Sequence, residues 1–283
     1  MASSNTIIMT NREIASHEQL VEQVRGTVEA HSRLSGILEP GDAIPEDTDR
    51  LVVIGGDGTL LSTIRANLDE GIPVLGVNAG RLGVLAEFDA ESLEANAGMV
   101  FGEHPLVRRH LVLRVTIIDD RGEERFHSVA VNDCVISAGA PFRMIELSLK
   151  IDQTEGPSIN GDGLIVASPI GSTAYNVSAG GPIVQPTVDA MIIAAVAPHS
   201  LAFRPIVADG QTIIEVGVSR PNEGTTLVID GQETHPLREG ERLIFKRHSD
   251  DAQLIGNPDS PYWNNLIEKM RWGAPPTYRD RGT

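Results

Sequence analysis

The stretch 52–61, V-V-I-G-G-D-G-T-L-L, constrains this chain more than any other part of it. Residues 51–54 form a short apolar run, mostly β-branched, which is typical of a buried parallel strand. The run stops at the turn 55–58, Gly-Gly-Asp-Gly, and apolar residues then recur at helical spacing from Thr59 onward. The pattern predicts a strand, a glycine turn and a helix, in that order.

The predicted glycine turn is suited to hold an anion. A helix that starts directly after a turn presents free main-chain N–H groups to a ligand. Because Gly55, Gly56 and Gly58 lack Cβ atoms, a phosphate can approach the main chain closely. Asp57 fits such a site if it accepts a proton from an attacking hydroxyl or holds a metal. A tight turn with an Asx-type hydrogen bond explains the same residues equally well.

The composition limits the location and the partners of the protein. The chain has 283 residues, of which 41% are hydrophobic, so it can form one large domain or two ordinary ones. No segment approaches the ~18 consecutive apolar residues of a membrane span, and no signal-peptide pattern is visible, so we expect no membrane partner. The single cysteine, Cys134, excludes a disulfide within the chain. These features favour a cytoplasmic protein.

The charge distribution is strongly acidic. The net charge is −16, which argues against nucleic acid as a partner. Only 3 of the 23 basic residues are lysines, at positions 150, 246 and 269. An acid-rich, lysine-poor chain favours a halophile with a high-salt cytoplasm, where salt screens the repulsion between carboxylates. A GC-rich genome is the alternative explanation of the arginine usage.

The first hundred residues alternate between helix-like and strand-like segments. We expect a helix at 16–34, a loop at 36–49, a strand at 73–77, a second glycine-rich turn at 78–83 and a helix at 91–101. Such alternation is typical of a parallel sheet, whose ligands bind beyond the carboxyl ends of the strands. Both glycine turns are expected at that edge of the sheet.

From about residue 106 onward, the apolar residues alternate with a period of two. Strands are expected at 111–117, 129–137, 144–151, 164–167, 191–196, 212–218, 226–229, 242–245 and 252–255, with a hairpin turn at 119–122. Recurring short strands predict a mostly-β domain. The expected fold is an α/β N-terminal domain with a parallel sheet (residues 1–104) and a mostly-β C-terminal domain (residues 105–258). A C-terminal helix at 260–272 is expected to return to the first domain within residues 259–283.

A second group of residues suited to bind a ligand lies in the stretch 160–182, which reads N-G-D-G-L-I-V-A-S-P-I-G-S-T-A-Y-N-V-S-A-G-G-P. Pro169 and Gly171 interrupt the strand, and Ser172 is a candidate N-cap for a helix whose N–H groups face a ligand. Small residues follow, which let a flat ring approach the main chain, and Tyr175 offers a ring and a hydroxyl. A strand–turn–helix with a purely structural role explains the same pattern.

Together these stretches resemble the NAD kinase family over residues 50–272. The matching segments are Gly55-Gly56-Asp57-Gly58-Thr59, Asn132-Asp133, 162–175, 179–182, 198–205, 230–232 and the apolar positions of 262–272. The long middle motif is specific to the family. The shorter G-G-D-G-T motif is shared with lipid kinases and has a close relative in phosphofructokinases.

The resemblance implies a two-domain kinase that transfers a phosphoryl group to the adenosine ribose 2′-hydroxyl of NAD, giving NADP. It implies Asp57 as the catalytic base and Gly55, Gly56, Gly58 and Thr59 as phosphate-binding residues. The implied NAD-binding residues are Asp57, Gly58, Asn132, Asp133, Arg143, Asn160, Asp162, Thr173, Ala174, Tyr175, Asn176, Val177, Ser178, Ala197 and Gln232. It also implies a homodimer or homotetramer in which Arg143 acts across an interface.

Four positions depart from the family pattern. Ile170 stands where Thr is usual, Asp133 where Glu is frequent, Val84 where an aromatic is usual, and Asn160 where Arg is frequent. These departures affect substrate contacts more than the chemistry. The choices between ATP and polyphosphate, and between NAD and NADH, stay open.

The phosphoryl donor needs a cation, because no lysine of the Walker type follows the glycines. We therefore expect Mg²⁺, or another divalent cation, with ATP or polyphosphate. The eight histidines show no metal-ligand spacing, so we expect no zinc site. Two other functions stay open: a lipid or sugar kinase that shares the G-G-D-G-T motif, and a non-catalytic NADP-binding regulator.

The acidic composition leads to a prediction about salt. Because KCl screens the repulsion between surface carboxylates, we expect the melting temperature to rise from low salt to molar KCl. Differential scanning fluorimetry across that range measures it. A melting temperature that stays flat or falls would contradict the halophile interpretation.

Overall fold

The computed structural model describes residues 4–10, 18–80, 85–260 and 262–270. These residues form two compact units. The first unit contains the described residues within 1–63, 72–107 and 254–283, and the second contains 64–71 and 108–253. The predicted domain boundaries at 104/105 and 258/259 stay a prediction. No helix among the described residues is long and apolar enough to cross a bilayer.

The first unit is built on a six-stranded sheet in the order β2-β1-β3-β4-β18-β5. Its strands are β1 (Asn5–Thr10), β2 (Arg33–Leu38), β3 (Arg50–Gly55), β4 (Val74–Asn78), β5 (Val107–His110) and β18 (Ala252–Ile255). Strand β1 pairs in parallel with β2 and β3, and β4 pairs in parallel with β3 and, through Leu254, with β18. The fully buried run of β3 explains its central place, because a strand covered on both faces has apolar side chains on both.

The first unit also contains helices. They are α1 (Glu18–His31), α2 (Asp57–Ala66), which starts in this unit, α3 (Ala90–Ala95), α4 (Ala97–Val100) and α6 (Tyr262–Met270). Helix α1 buries Val24 and Val28, four residues apart on one face, in the same apolar cluster as Val52 and Leu75. Helix α3 starts at a capping box, in which the Asp89 carboxylate accepts the N–H of Ser92 at 2.8 Å.

The second unit contains two six-stranded sheets whose strand pairs are antiparallel. One sheet, in the order β10-β9-β14-β17-β6-β7, contains β6 (Leu113–Ile118), β7 (Glu124–Ala130), β9 (Ile145–Ile151), β10 (Thr154–Gly161), β14 (Ile214–Arg220) and β17 (Arg242–Arg247). The other, in the order β13-β12-β11-β8-β15-β16, contains β8 (Asp133–Ser137), β11 (Gly163–Ala167), β12 (Ala190–Val196), β13 (Ile206–Asp209), β15 (Thr226–Ile229) and β16 (Glu233–Pro236). Alternate apolar residues of both sheets share one core, for example Val115 and Val166.

The expected fold class is confirmed: an α/β unit with a mostly parallel sheet, a mostly-β unit, and a C-terminal helix in the first unit. Helix α6 buries Leu266 and leaves Trp263 exposed. Residues 271 and 272 of the predicted helix lie outside the described residues. The hairpin turn at 119–122 is also confirmed, because the Asp119 carboxylate accepts the N–H groups of Arg121 and Glu123.

Four expectations about the elements were wrong. The strand expected at 129–137 is interrupted at residues 131 and 132, between β7 and β8. Residues 33–38 form strand β2 on the edge of the first sheet, where part of a helix and a loop were expected. The predicted helix 91–101 is two short helices, because Asn96 ends α3 and begins α4 with a non-helical main chain (φ −104°, ψ 8°). Strand β18 was expected in the mostly-β domain, but its Leu254 pairs with Val74 of the first sheet. Pairing between distant segments decides the places of β2 and β18, and local pattern does not reveal it.

Candidate functional site

The glycine–aspartate turn of the first unit has the predicted order of elements. Strand β3 ends at Gly55, and helix α2 starts at Asp57. The N–H groups of Thr59 and Leu60 both donate to the carbonyl oxygen of Gly56, at 3.1 and 3.2 Å, which closes the first helical turn. A Cβ at Gly55 would lie 2.8 Å from Oγ1 of Thr59, so only glycine fits there.

Main-chain groups orient the Asp57 carboxylate. Its Oδ1 accepts the N–H groups of Leu85 at 3.1 Å and Ala86 at 3.2 Å. The 85–86 segment lies close to β4 because Gly76 has no side chain: a Cβ there would lie 2.9 Å from Cα of Ala86. The carboxylate therefore has a fixed direction at the start of a helix, which suits an acceptor of protons or hydrogen bonds.

The second unit contains a cavity of about 300 Å³. The residues that line it are Asn132, Asp133, Val135, Ser137, Ala174, Tyr175, Val228, Asp230 and Gly231. They come from strands β8 and β15, from the turn after β15, and from the loop that enters α5 (Tyr175–Ser178). Strand β8 lies between β11 and β15, so residues far apart in the sequence meet at one place.

Close main-chain packing shapes this cavity. Gly171, in a 3₁₀ turn (Ile170–Thr173), lies against the main chain of Asn132, where a Cβ would be 1.9 Å from the carbonyl oxygen. The Ser168 N–H donates to the same carbonyl oxygen at 2.8 Å. A glycine at 171 therefore lets the loop that carries Ala174 and Tyr175 approach the start of β8.

The Asp230 carboxylate organises the floor of the cavity. It accepts the main-chain N–H groups of Val131 at 3.0 Å, Asn132 at 2.7 Å and Asp133 at 3.1 Å. Nη1 of Arg65 lies 3.8 Å from its Oδ2. Burial raises the pKa of Asp230, while the three N–H donors and Arg65 act in the opposite direction. Three directed donors and a cation therefore support a buried negative charge.

The Asp133 carboxylate has a different environment. The residue is only 4% exposed, and its Oδ2 has no hydrogen-bond partner in the protein. Burial and the neighbouring Asp230 raise the pKa of Asp133 to about 7, opposed by the main-chain N–H of Tyr175. Oδ1 of Asn132 is likewise buried without a partner. Two unpaired acceptors in one cavity suit a ligand that brings hydrogen-bond donors, such as hydroxyl or amino groups.

The structure brings together four of the residues predicted to bind the ligand: Asn132, Asp133, Ala174 and Tyr175. Arg143 and Asn160 line a separate cavity of about 520 Å³ in the same unit. Of the other predicted residues, Asp162, Ser178, Ala197 and Gln232 are exposed, and Thr173 and Val177 are half-buried. Ala197 has a positive φ of 45°, a conformation that is uncommon for a residue with a Cβ.

In this stretch the predicted N-cap was wrong, and the Asn176 side chain has a structural role. Ser172 is not an N-cap: it lies within the 3₁₀ turn, and its hydroxyl donates to the carbonyl oxygens of Pro169 and Val184. Asn176 is fully buried, and its amide donates to the carbonyl oxygens of Ser172 and Pro182. Residues 172–182 therefore contain only the single-turn helix α5, and side-chain hydrogen bonds hold the segments on either side of it.

Two residues of the cavity region were missed by sequence reasoning. Asp230 was read only as part of a three-residue match, although Asp-Gly between two strands is a hairpin-turn signal. Its φ of 49° and that of Gly231 at 67° confirm this turn. Arg65 gave no signal, because its partner lies in a different part of the chain. The departure at Ile170 is buried, and Val84 lies outside the described residues.

One further cluster of possible metal ligands occurs among the described residues: Asp69, His248 and Asp250. Nδ1 of His248 lies 3.1 Å from the N–H nitrogen of Asp250, and Nε2 lies 3.9 Å from Asp69. This arrangement is an electrostatic contact between a histidine and carboxylates.

An oriented carboxylate after a glycine turn, and a separate cavity that suits a polar ligand, define a nucleotide-binding transferase of the α/β plus β-sandwich type. Two family patterns match the chain: ATP-NAD kinase N-terminal domain at residues 8–102, and ATP-NAD kinase C-terminal domain at residues 131–256. The chain belongs to the NAD kinase family and is a kinase.

Relatives named NAD kinase match most of the chain. A NAD kinase of Desulforamulus reducens is 40% identical over 223 residues, which is 79% of this chain and 77% of the relative. A NAD kinase of Rhodopirellula baltica is 36% identical over 256 residues, which is 89% of this chain and 82% of the relative.

Solved structures show the same fold. The structure of yeast NADH kinase complexed with NADH matches with a TM-score of 0.86 and 21% identity, over 100% of this chain and 91% of that one. The structure of a NAD kinase from Archaeoglobus fulgidus in complex with ATP matches with a TM-score of 0.76 and 27% identity, over 94% of this chain and 98% of that one.

The buried Asp133 predicts a pH-dependent cost in stability. Its pKa is about 7 in the folded protein and about 3.9 when unfolded, so folding is disfavoured increasingly as the pH rises from 4 to 7. Asp133→Asn carries no charge, so we expect it to raise the free energy of unfolding by on the order of 2–4 kcal/mol at pH 8 and by much less at pH 4. Urea denaturation at both pH values measures this.

The control for this prediction is Asp120→Asn, because Asp120 is an exposed residue of a hairpin turn. It should change the free energy of unfolding little at either pH. If Asp133→Asn destabilises the protein equally at pH 4 and pH 8, the Asp133 carboxyl does not carry a burial cost.

Proposed function

We propose that this protein transfers a phosphoryl group from ATP, or from polyphosphate, to the adenosine ribose 2′-hydroxyl of NAD, giving NADP. The observation that carries the proposal is the Asp57 carboxylate, which two N–H groups orient at the start of the helix that follows the glycine turn. A ribose hydroxyl is a poor nucleophile at neutral pH, so a carboxylate that accepts its proton assists the attack.

The donor site in this proposal is the glycine–aspartate turn. Phosphoryl transfer requires positioning and neutralisation of charge, with little covalent work by the protein. Gly55, Gly56, Gly58 and Thr59 form the proposed phosphate-binding turn, and a Cβ at Gly56 would meet no atom within 4 Å, so this side of the turn is open. Mg²⁺ enters as part of the MgATP substrate and neutralises the phosphates, because no lysine follows the turn.

The acceptor site is the cavity of the second unit. Its unpaired acceptors, Oδ1 of Asn132 and Oδ2 of Asp133, suit the hydroxyl and amino donors of a dinucleotide, and the Tyr175 ring supplies an apolar face. The remaining proposed NAD-binding residues are Asp57, Gly58, Arg143, Asn160, Asp162, Thr173, Ala174, Asn176, Val177, Ser178, Ala197 and Gln232. A homodimer or homotetramer, with Arg143 acting across an interface, and a cytoplasmic location complete the proposal.

The nucleotide preference is a matter for experiment. One solved relative is titled a NADH kinase and another a NAD kinase in complex with ATP, so both acceptors belong in the assay. Incubation with NAD or NADH, with ATP or polyphosphate, and with Mg²⁺, followed by measurement of NADP(H), tests the function directly. A non-catalytic NADP-binding regulator would form no product in any combination.

Asp57→Asn tests the role of Asp57 as the base. The substitution keeps the size of the side chain and an acceptor for the N–H groups of Leu85 and Ala86, but it removes the base. We expect kcat to fall by about 10² or more, with a small change in the Kd for NAD by calorimetry. Asp120→Asn, in an exposed turn, is the matched control. A near wild-type kcat would remove Asp57 from the mechanism, and rescue by added Mg²⁺ would indicate a metal-binding role instead.

Tyr175→Ala tests the acceptor site. The Tyr175 ring is 46% exposed and lines the cavity, so its loss should leave the fold intact. We expect the KM for NAD to rise several-fold, because an aromatic contact contributes about 1 kcal/mol, with the KM for the phosphoryl donor nearly unchanged. Trp263→Ala, at an exposed aromatic of helix α6, is the control. Equal effects on both KM values would contradict the placement of NAD in this cavity.

A further inference from the structure

The contacts of Asp230 and Asp133 divide the two buried carboxylates into unequal partners. Asp230 accepts three main-chain N–H groups and has Nη1 of Arg65 at 3.8 Å, whereas Asp133 leaves Oδ2 unpaired beside the cavity. The N–H of Asp133 is itself one of the three donors to Asp230. The two residues are therefore joined through the main chain, and only one of them has its charge compensated.

Arg65 is the cation that faces Asp230. It lies at the end of α2, in the second unit, with a side chain that is only 18% exposed. Its Nη2 lies 3.4 Å from Oε2 of Glu233, and its Nη1 lies 3.5 Å from the carbonyl oxygen of Ile229. The guanidinium therefore lies among oxygens of β15, β16 and the turn that joins them.

The other groups that face the pair do not replace this cation. Glu233 is an anion that already accepts the Ser128 hydroxyl at 2.9 Å, and the Cys134 thiol is fully buried, with its pKa raised by burial and by the carboxylates. The main-chain N–H of Tyr175 faces Asp133. Arg65 is thus the only cation among these groups, and a proton is the other means of reducing the negative charge of the pair.

We propose that Arg65 and Asp230 are positioning residues for the substrate: Arg65 favours the ionised form of Asp230, Asp230 fixes the main chain of Asn132 and Asp133, and Asp133 releases a proton when a dinucleotide binds. The proposal rests on the assignment of this cavity to NAD. It adds to that function a linkage between substrate affinity and pH, and a role for an arginine that touches no substrate.

The sign of the linkage follows from the chemistry of the ligand. Ribose hydroxyls and an amino group donate hydrogen bonds, so they bind the ionised Asp133 better than the neutral acid. Below about pH 7 the free protein holds a proton on Asp133, which must leave before these bonds form. The affinity for NAD therefore falls as the pH decreases, by up to about tenfold for each pH unit, and is constant above the midpoint.

Calorimetry of NAD binding to the intact protein measures this directly. Titrations in buffers of different ionisation enthalpy give the number of protons released. We expect about one proton at pH 6 and about none at pH 8.5. Asp133→Asn should bind without proton release at either pH. Proton release by Asp133→Asn equal to that of the wild type would overturn the proposal.

Variants of Arg65 test its role through the pH profile rather than through stability. Without the guanidinium the pair takes up its proton more readily, so Arg65→Gln should move the midpoint of the affinity profile to higher pH and weaken NAD binding at pH 7. Arg65→Lys keeps the charge and should restore the profile. Arg114→Gln, at an exposed position of β6, makes the same change in net charge away from the cavity and should leave the profile unmoved. A midpoint unchanged in Arg65→Gln would overturn the role of Arg65.

A measurement without substrate separates this inference from the proposed function. The ¹³C carboxyl resonance of Asp133, assigned with Asp133→Asn, should titrate near pH 7, and in Arg65→Gln the first proton taken up by the Asp133 and Asp230 pair should bind at higher pH. That titration together with no NAD binding would overturn the proposed function alone. Tight NAD binding that is independent of pH, with an Asp133 resonance that titrates near 4, would overturn the inference and leave the function standing.

Discussion

The second unit depends on one buried interaction, the acceptance of three successive main-chain N–H groups by the Asp230 carboxylate. Strand β8 starts at Asp133, so the N–H groups of Val131 and Asn132 lie just before it, where no sheet partner can satisfy them. A buried N–H without a partner costs about as much as a lost hydrogen bond. Asp230 provides these partners from a turn whose positive φ directs its side chain back toward β8. The turn and the strand start therefore stabilise each other, and both line the same cavity.

Glycines without a Cβ set how closely the loops can approach these strands. Gly171 lies against the main chain of Asn132, Gly163 lies against the carbonyl oxygen of Ile136, and Gly181 lies against the Asn176 amide. A Cβ at any of them would lie 1.9 to 2.1 Å from a neighbouring atom, far inside van der Waals contact, so this packing requires glycine. In the first unit, Gly76 has the same effect, because it brings the 85–86 segment to the Asp57 carboxylate. Both parts of the candidate site are thus positioned by main chain, which is stiffer than side chain.

The sequence predicts the elements that depend on neighbouring residues, and it does not predict contacts between segments far apart in the chain. The run 51–61 predicts its strand, turn and helix because the period of apolar residues changes within one short segment. The alternating strands of the second unit follow for the same reason. Serine is a residue type that often caps helices, but Ser172 lies in a segment held by hydrogen bonds from the Asn176 amide to the carbonyl oxygens of Ser172 and Pro182. The pairing of β18 with β4, and of Arg65 with Asp230, joins segments far apart in the chain. No local pattern encodes these contacts. A cavity residue such as Asp133 could therefore be predicted only from the resemblance to a family.

The repulsion between carboxylates is reduced by different means at the surface and in the cavity. Exposed carboxylates interact through water and mobile ions, with a Debye length of about 8 Å at physiological ionic strength, so salt removes most of their mutual repulsion. The Asp230 side chain is fully buried and Asp133 is nearly so, and mobile ions do not reach between them. Their repulsion is reduced by fixed groups instead: the three N–H donors, the Arg65 guanidinium, and a proton on Asp133. Ionic strength therefore acts on the surface charge and pH acts on the cavity, so the two variables act on different groups of carboxylates.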